Sequence, residues 1–208
     1  MEDVLDLYAE PYDGARPVVC FDECPYQLLA DVREPMPMAQ GKPRRYDYEY
    51  ERKGTCNLFI VVQPKAAWRH IDVTARRTRL DFAQQMKSLV DEHFPDADVI
   101  RVVLDNLNTH TPASLYEAFP PAEARRITSK LEFHYTPNHG SWLNMAEIEL
   151  SILSRQCLKQ RLQDQDSVDR ECAAWEAARN AQNTGINWRF TTDNARSKLE
   201  RLYPPLSE

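Results

Sequence analysis

The segment from residue 131 to residue 157 constrains the fold most, because its periodicity changes from strand to helix within a few residues. Leu131 to Tyr135 reads as a short strand, and the Thr-Pro-Asn-His-Gly sequence at 136–140 breaks it. The chain then predicts a helix with one buried face, which comprises Leu143, Ala146, Leu150, Leu153 and Cys157 at i, i+3 and i+4 spacing. Glu147 lies at the border of that face, so it is either a solvated charge or a ligand directed into a cleft.

The rest of the chain predicts a sheet covered by helices. Apolar or alternating runs predict strands at 18–23, 46–51, 57–63, 68–74, 99–104 and 131–135, with a turn at 52–54 and with Pro25 ending the first strand. Helical spacing is found at 4–9, 79–94, 112–119, 122–130, from about 167 to 183 and after Thr192, with Asp166 or Ser167 as the N-cap of the helix near 167. A three-strand meander followed by alternating helices and strands indicates an α/β mixed sheet flanked by helices.

Composition limits the class of protein. The 208 residues are 42% hydrophobic and 28% charged, which suits one globular domain with an appended helical tail. Five irregularly spaced cysteines favour a reducing compartment over a disulfide framework. The acidic N-terminus does not resemble a secretory signal, and no stretch is long and apolar enough for a membrane span. We therefore expect a cytoplasmic protein without a membrane partner.

The charge distribution is uneven. The formal net charge is −6, yet residues 41–79 contain ten basic and four acidic residues, a local net charge of +6. Such a segment is either a surface that binds a polyanion or a solvated hairpin. Its basic residues include Lys42, Arg44 and Arg45.

Several chemistries are disfavoured by what the sequence lacks. None of the five glycines belongs to a phosphate-binding loop, so an ATPase is not indicated. The chain has no Gly-x-Ser-x-Gly nucleophile elbow. The cysteine spacing does not form paired zinc knuckles, which argues against a structural zinc ion.

Three acidic residues occupy comparable places in the predicted fold. Asp22 and Asp105 each follow an apolar strand, where a side chain leaves the sheet and reaches the cleft at its edge. Each could also serve only as a turn or cap residue. Together with Glu147 they offer hard oxygen ligands of the kind that suits Mg²⁺ or Mn²⁺. Three carboxylates around two such ions could bind the attacking and leaving oxygens of a phosphodiester.

The surrounding residues resemble a known family. The segments Val103–His110 and Tyr135–Asn144 with Glu147 look like the second and third acidic motifs of DDE transposases of the mariner-like superfamily, in its bacterial insertion-sequence branch. Val19–Glu23 resembles the first motif, and the Tyr48–Phe59 and Thr192–Pro204 regions are also similar. The resemblance covers nearly the whole chain and implies an RNase H-like fold.

The resemblance also implies roles for individual residues. Asp22, Asp105 and Glu147 would hold two Mg²⁺ or Mn²⁺ ions. Neighbouring residues of the motifs would support the carboxylates or contact DNA; these are Asn106, Asn108, His110, His139, Trp142 and Asn144. Alternatively, Trp142 belongs to the core and Asn108 only shapes its loop.

The chain departs from the family pattern in two respects. Asp105 and Glu147 are separated by 41 residues, more than in mariner relatives. Full-length relatives also carry N-terminal helix-turn-helix modules, and nothing before Val18 resembles one. We expect residues 1–17 to be a linker remnant outside the core, 18–160 the catalytic core, and 161–208 a helical extension packed on it. The chain would then be a catalytic half that is separately encoded, truncated by mutation or trimmed.

The leading hypothesis is a metal-dependent domain that cleaves DNA and transfers the cut strand during cut-and-paste transposition. Its partners would be double-stranded DNA (transposon ends and target), a second copy in a homodimer and a separate N-terminal half, at the bacterial nucleoid. Two alternatives remain at this point: a catalytically silent remnant that acts as an oligomerisation or regulatory partner, and another RNase H-like nuclease that acts on structured nucleic acid.

Overall fold

A single mixed sheet forms the centre of the computed structural model, which describes residues 1–34, 36, 38–42 and 47–203. Its five strands are β1 (Val18–Asp31), β2 (Tyr50–Gln63), β3 (Trp68–Thr74), β4 (Ile100–Leu104) and β5 (Leu131–Tyr135). The order across the sheet is β3-β2-β1-β4-β5. The first three strands form an antiparallel meander, and β4 and β5 continue from β1 in parallel. The mixed sheet predicted from the sequence is therefore confirmed.

Seven α-helices in the described part of the chain cover this sheet. They are α1 (Glu2–Ala9), α2 (Arg79–Ser88), α3 (Pro112–Ala118), α4 (Pro121–Thr128), α5 (Ala146–Gln156), α6 (Gln165–Ala181) and α7 (Thr192–Lys198). The helix predicted at 79–94 ends as a π-helical turn at Leu89–His93. The last helix, which the sequence pattern places after Thr192 as its cap, has its N-cap one residue earlier at Thr191. The N-cap of α6 is Asp164, which accepts a hydrogen bond from the Ser167 amide at 2.7 Å, so the predicted caps Asp166 and Ser167 are wrong.

The sheet separates two hydrophobic cores because successive side chains of a strand point to opposite faces. Cys20 and Val103 face the core that α1, α5, α6 and α7 cover, whereas Phe21 and Leu104 face the core under α2, α3 and α4. Phe21 is fully buried, and truncating such a side chain to alanine costs about 3–5 kcal/mol. Packing on both sides thus holds β1 and β4 in one orientation. The residues that follow the paired parts of these strands are therefore held in place as well.

The β1–β2 hairpin is longer than predicted. The predictions that Pro25 ends the first strand and that residues 52–54 form a turn are wrong, since β1 pairs with β2 as far as Asp31. Beyond Cys20 one edge of β1 no longer pairs with β4, and an edge tolerates a proline. A register shift occurs beside Gly54, whose φ of +106° suits a bulge.

The strand predicted at 46–51 is largely absent. Tyr46 lies outside the described residues, Asp47–Glu49 are not in a strand, and Tyr50 and Glu51 open β2. Tyr48 is 86% exposed, so it does not belong to a half-buried strand of the kind that the alternating pattern predicts.

The N-terminal helix belongs to the core, contrary to the expectation that residues 1–17 lie outside it. Val4, Leu5, Leu7 and Tyr8 are buried, and the Tyr8 hydroxyl donates a hydrogen bond to the Leu143 carbonyl at 2.8 Å. The apolar residues of this short helix form one buried face, and this spacing already indicates a helix that packs on the core. The boundaries at residues 17 and 160 remain predictions. None of the helices in the described ranges is long and apolar enough to cross a membrane.

Candidate active site

The sheet register places Asp22 beside Asp105. Cys20 of β1 pairs with Val103 of β4 in parallel, and two further residues along each strand are Asp22 and Asp105. Neighbouring strands lie about 4.8 Å apart. Because Cys20 faces the core under α5, the period of two directs Asp22 to that face, and Asp105 directly follows the last residue of β4. Two acids that are 83 positions apart in sequence therefore meet at one edge of the sheet.

Asn144 connects the third acid to the same edge. Its side-chain amide donates a hydrogen bond to the Phe21 carbonyl at 2.8 Å, and its side-chain oxygen accepts one from the Ala146 amide at 3.1 Å. Its own carbonyl accepts from the Glu147 amide at 3.1 Å. A single buried side chain thus joins the first turn of α5 to the residue before Asp22. This geometry gives Asn144 a supporting position and excludes direct DNA contact, because only 1% of the residue is exposed.

The electrostatics of Asp22 show that the three carboxylates act on one another. Burial is the main reason why the pKa of Asp22 is raised to about 7, and the charges of Glu23, Asp105 and Glu147 raise it further. A hydrogen bond from the Glu23 amide to Asp22 Oδ1, at 2.9 Å, opposes the shift. Negative charge is therefore concentrated where a cation would relieve it.

Asp105 is held by His110. The His110 Nδ1 atom lies 2.7 Å from Asp105 Oδ1, and the Leu107 amide donates to the same oxygen at 3.1 Å. The bond from His110 is the main reason why the pKa of Asp105 is lowered, and the charge of Arg77 acts in the same direction. Burial alone would lower the pKa of His110, but its contacts with Asp105 and Glu23 outweigh burial and raise the pKa to about 9. His110 Nδ1 donates to Asp105, because an ionised carboxylate can only accept a hydrogen bond.

The loops after β4 and β5 form an open cleft beside Asp105. Its volume is about 250 Å³, and its lining includes Asn106, Thr136, Asn138, His139 and Ser141. The Asn106 side chain donates to the Thr136 carbonyl and so connects the two loops. Gly140 is required here, because a Cβ atom at this position would lie 2.6 Å from the Pro137 side chain.

The other predicted supporting residues differ in exposure. Asn106, Asn108 and His139 are exposed, so they are available to a ligand. His110 is 1% exposed and cannot contact DNA. Trp142 is 42% exposed and packs on Trp188 and Phe190 with ring centroids 6.3 and 5.5 Å away, so it is only partly a core residue.

The basic residues of segment 41–79 that the structure describes are not all on the surface. Lys42 is exposed, whereas Arg44 and Arg45 lie outside the described residues. Arg69 is fully buried against Glu149 and cannot contact a polyanion. Arg77, in the loop before α2, is the basic residue whose charge reaches the site: its side chain is 49% exposed and lies 4.0 Å from Glu23.

The donor set fits a divalent metal ion in its chemistry. Asp22 and Asp105 each have one oxygen bonded to the protein and one without a hydrogen bond among the described residues, and carboxylate oxygens are the ligands that Mg²⁺ and Mn²⁺ prefer. In the described part of the chain, however, no three His, Cys, Asp or Glu side chains are grouped closely enough to enclose an ion. The three carboxylates are therefore directed to the same edge of the sheet, but they are not close enough together to enclose an ion.

A larger cavity lies at the opposite end of the sheet. It has a volume of about 410 Å³ and is lined by residues such as Tyr8, Tyr12, Arg101 and Trp188, with Asp13 as its one carboxylate. A single acid does not make a divalent-metal site of the kind that the three carboxylates suggest. The edge of the sheet beside Asp105 is the better candidate, because the charges of Asp105 and Glu147 both act on Asp22 there.

Sequence reasoning missed Glu23 and Glu149 as buried charges. Glu23 directly follows Asp22 in a strand, and the period of two places it on the opposite face, beneath α2 and α3. The period could have revealed this position, but nothing in the sequence identifies His110 as its partner. Glu149 lies two residues beyond Glu147 on α5 and is fully buried against Arg69 and Arg179.

The sequence profile of a known family covers this site. The profile described as DDE superfamily endonuclease matches residues 17–169, well over half of the chain, and includes all three acids. The chain belongs to this family. None of the curated proteins matches it in sequence.

Solved structures show which fold this DDE superfamily endonuclease adopts. The Mos1 mariner paired-end complex with Mn superposes with a TM-score of 0.57 at 17% identity, over 86% of this chain and 54% of that one. The Mos1 transposase paired-end complex with the left transposon end gives 0.53 at 15% identity, over 81% and 51%. The fold is therefore RNase H-like, as the resemblance implied. The chain spans about half the length of these transposases.

Proposed function

We propose that this chain is the catalytic domain of a DDE transposase, in the bacterial insertion-sequence branch of the mariner-like superfamily. It would cleave DNA and transfer the cut strand during cut-and-paste transposition. The observations that carry this proposal are the strand register that brings Asp22 next to Asp105 and the hydrogen bond from Asn144 that ties the start of α5, and with it Glu147, to β1. Membership in a DDE endonuclease family and similarity to transposase–DNA complexes support it.

The three carboxylates would hold two Mg²⁺ or Mn²⁺ ions. Such ions supply Lewis acidity, which activates a nucleophile and stabilises charge that develops on a phosphodiester. The chain's own residues arrange the site. Asn144 fixes Glu147 relative to β1, and His110 orients Asp105.

Double-stranded DNA, both transposon ends and target, would lie across the cleft beside Asp105. Arg77 and Lys42 are exposed basic residues that could neutralise phosphates. Full transposition would require a homodimer and a separate half that reads the transposon ends, and would take place at the bacterial nucleoid in the cytoplasm.

The test is nicking of supercoiled plasmid by the purified chain in Mg²⁺ or Mn²⁺, beside Asp22→Ala and Glu147→Ala. We expect metal-dependent nicking that both variants lose. Unchanged nicking in the variants would contradict the assignment, because the cleavage would then arise elsewhere. If the wild-type chain binds Mn²⁺ but does not nick, adding the DNA-reading half in trans separates a dependent enzyme from a silent remnant. Preferential cleavage of an RNA–DNA hybrid would instead indicate an RNase H-like nuclease.

A further inference from the structure

Glu23 and His110 form a buried pair behind the carboxylate site. The side chain of Glu23 is 4% exposed and that of His110 is 1% exposed, and Glu23 Oε2 lies 2.9 Å from His110 Nε2. These two atoms are not aligned for a hydrogen bond, and neither has another partner in the described structure. Glu23 Oε2 and His110 Nε2 therefore interact with each other as an ion pair and with no other polar group of the described residues.

The histidine ring is fixed in this position. It lies against Phe21 and Phe82, with ring centroids 5.4 and 4.9 Å away. Both nitrogens face acids, because Nδ1 contacts Asp105 Oδ1 at 2.7 Å. The Tyr135 hydroxyl donates to the His110 carbonyl at 2.7 Å and anchors the backbone as well. The ring cannot turn without leaving a buried charge without a partner.

The consequence for Asp105 is that one carboxylate oxygen is occupied and the other is not. Oδ1 accepts from His110 and from the Leu107 amide. Oδ2 has no hydrogen bond within the described residues, and the side chain is 41% exposed. The carboxylate therefore presents a single, fixed oxygen to the cleft that it lines.

We propose that Glu23 and His110 are positioning residues, which orient Asp105 so that this oxygen meets a divalent cation. The inference rests on the proposed function, because it assumes that Asp105 is a metal ligand. A residue that holds a ligand typically contributes about 10–100-fold to metal affinity. Glu23 would act through His110 and would not touch the metal or the DNA.

Calorimetric titration of the full chain with Mn²⁺, in the absence of DNA, tests this inference. We expect Glu23→Gln to raise the Kd for Mn²⁺ about 10–100-fold while circular dichroism shows the wild-type fold. Glu149→Gln is the matched control, since Glu149 is also a buried, ion-paired glutamate on an element next to the site. We expect this control to lower thermal stability and leave the Kd unchanged. Equal weakening in both variants, or an unchanged Kd in Glu23→Gln, would overturn the inference.

Two histidine variants keep the test decisive if Glu23→Gln does not fold. The side-chain amide of His110→Asn would occupy the place of Nδ1 and could still donate to Asp105, whereas His110→Leu could not. We expect His110→Asn to retain clearly more Mn²⁺ affinity than His110→Leu. Equal affinities would overturn the inference, since a purely structural role would not distinguish the hydrogen-bond donor.

Failure of the inference can be told apart from failure of the proposed function. If Asp22→Asn abolishes Mn²⁺ binding and Glu23→Gln does not weaken it, only the positioning role is wrong. If the wild-type chain binds no Mn²⁺, or Asp22→Asn binds it as tightly as wild type, the metal site itself is wrong and both proposals fail.

Discussion

Two buried glutamates, Glu23 and Glu149, have similar burial and different surroundings. Both oxygens of Glu149 accept hydrogen bonds from Arg179, and Oε1 also accepts from Arg69. Arg69 further donates to the Thr184 carbonyl at 2.8 Å. This cluster joins β3, α5 and α6, and it ends in backbone carbonyls. The charge of Glu149 is therefore satisfied within the protein.

The Glu23 cluster continues to the surface instead. Glu23 contacts His110, His110 contacts Asp105, and Asp105 is partly open to the cleft. The comparison shows that burial of an ion pair does not by itself distinguish structure from function. The Glu149 pair, whose hydrogen bonds all go to groups inside the protein, stabilises the fold. The Glu23 pair leads to the exposed carboxylate of Asp105 and can therefore orient a ligand.

The largest expected effect separates activity from stability. Glu147 has no side-chain hydrogen bond among the described residues and its charge repels that of Asp22, so Glu147→Gln should not lower the free energy of unfolding. Metal-dependent nicking should fall by roughly 10³-fold or more, the scale seen when a charged member of a catalytic set is removed. Plasmid nicking and urea unfolding measure the two effects, with Ser154→Ala on the exposed side of α5 as the control. Substantial residual nicking would remove Glu147 from the site.

The opposite result is expected for Glu149. Glu149→Ala leaves the buried guanidinium of Arg69 without its carboxylate, which should lower the free energy of unfolding by about 3–5 kcal/mol. Urea denaturation measures this loss. Glu171 is an exposed glutamate of α6, and Glu171→Ala should stay within about 0.5 kcal/mol of wild type. A small loss in Glu149→Ala would mean that the cluster is not structural, and the contrast with Glu23 would no longer hold.

A substitution of Arg77 tests whether DNA binds near the cluster of Glu23, His110 and Asp105. Arg77→Ala should weaken duplex binding and reduce the slope of log Kobs against log salt concentration by about 0.9, the value for one phosphate contact. Fluorescence anisotropy over a salt series measures the slope. Arg126→Ala is the matched control, because Arg126 is exposed but bound to Asp91 and Glu123 at 2.8–2.9 Å. Identical slopes for both variants would place the DNA elsewhere.

The smallest effect concerns His70, whose partly exposed ion pair with Glu176 joins β3 to α6. A hydrogen bond to Glu176 is the main reason why the pKa of His70 is raised, and Asp72 and Glu92 add to it. A raised histidine pKa stabilises the fold below the unfolded pKa of about 6.5, and this stability is lost as pH rises through the folded pKa. His70→Gln should therefore cost about 0.5–1 kcal/mol at acidic pH and less in alkali.

Urea unfolding of wild type and His70→Gln at several pH values measures this difference. His93 lies against His70, with ring centroids 4.4 Å apart, and its pKa is lowered by burial and by the charge of His70. The comparison is therefore repeated in a His93→Gln background, which removes this second titration. A stability difference that grows as the pH rises would contradict the expected sign.

The carboxylates of the site could be predicted because each follows from a local pattern. Asp22 and Asp105 end apolar runs, and Glu147 borders the apolar stripe of a helix. The register that brings the aspartates together and the bond from Asn144 to Phe21 are tertiary facts that no local pattern contains. The same limit explains the hairpin, since Pro25 is tolerated only because one edge of β1 lies beyond its pairing with β4.

The pairing of the buried charges was beyond prediction for a related reason. Glu23 and Glu149 each look like ordinary solvated acids, and their partners His110 and Arg69 are 87 and 80 positions away. Hydrophobic periodicity locates apolar residues inside a fold, but it contains no information about which buried charge meets which.

The most direct test of the metal site is a crystal structure of the chain soaked with Mn²⁺, with anomalous differences measured near the manganese edge. We expect anomalous peaks between Asp22, Asp105 and Glu147, with a single oxygen of Asp105 directed at the metal. Peaks elsewhere on the protein, or none at this edge of the sheet at saturating Mn²⁺, would contradict this expectation.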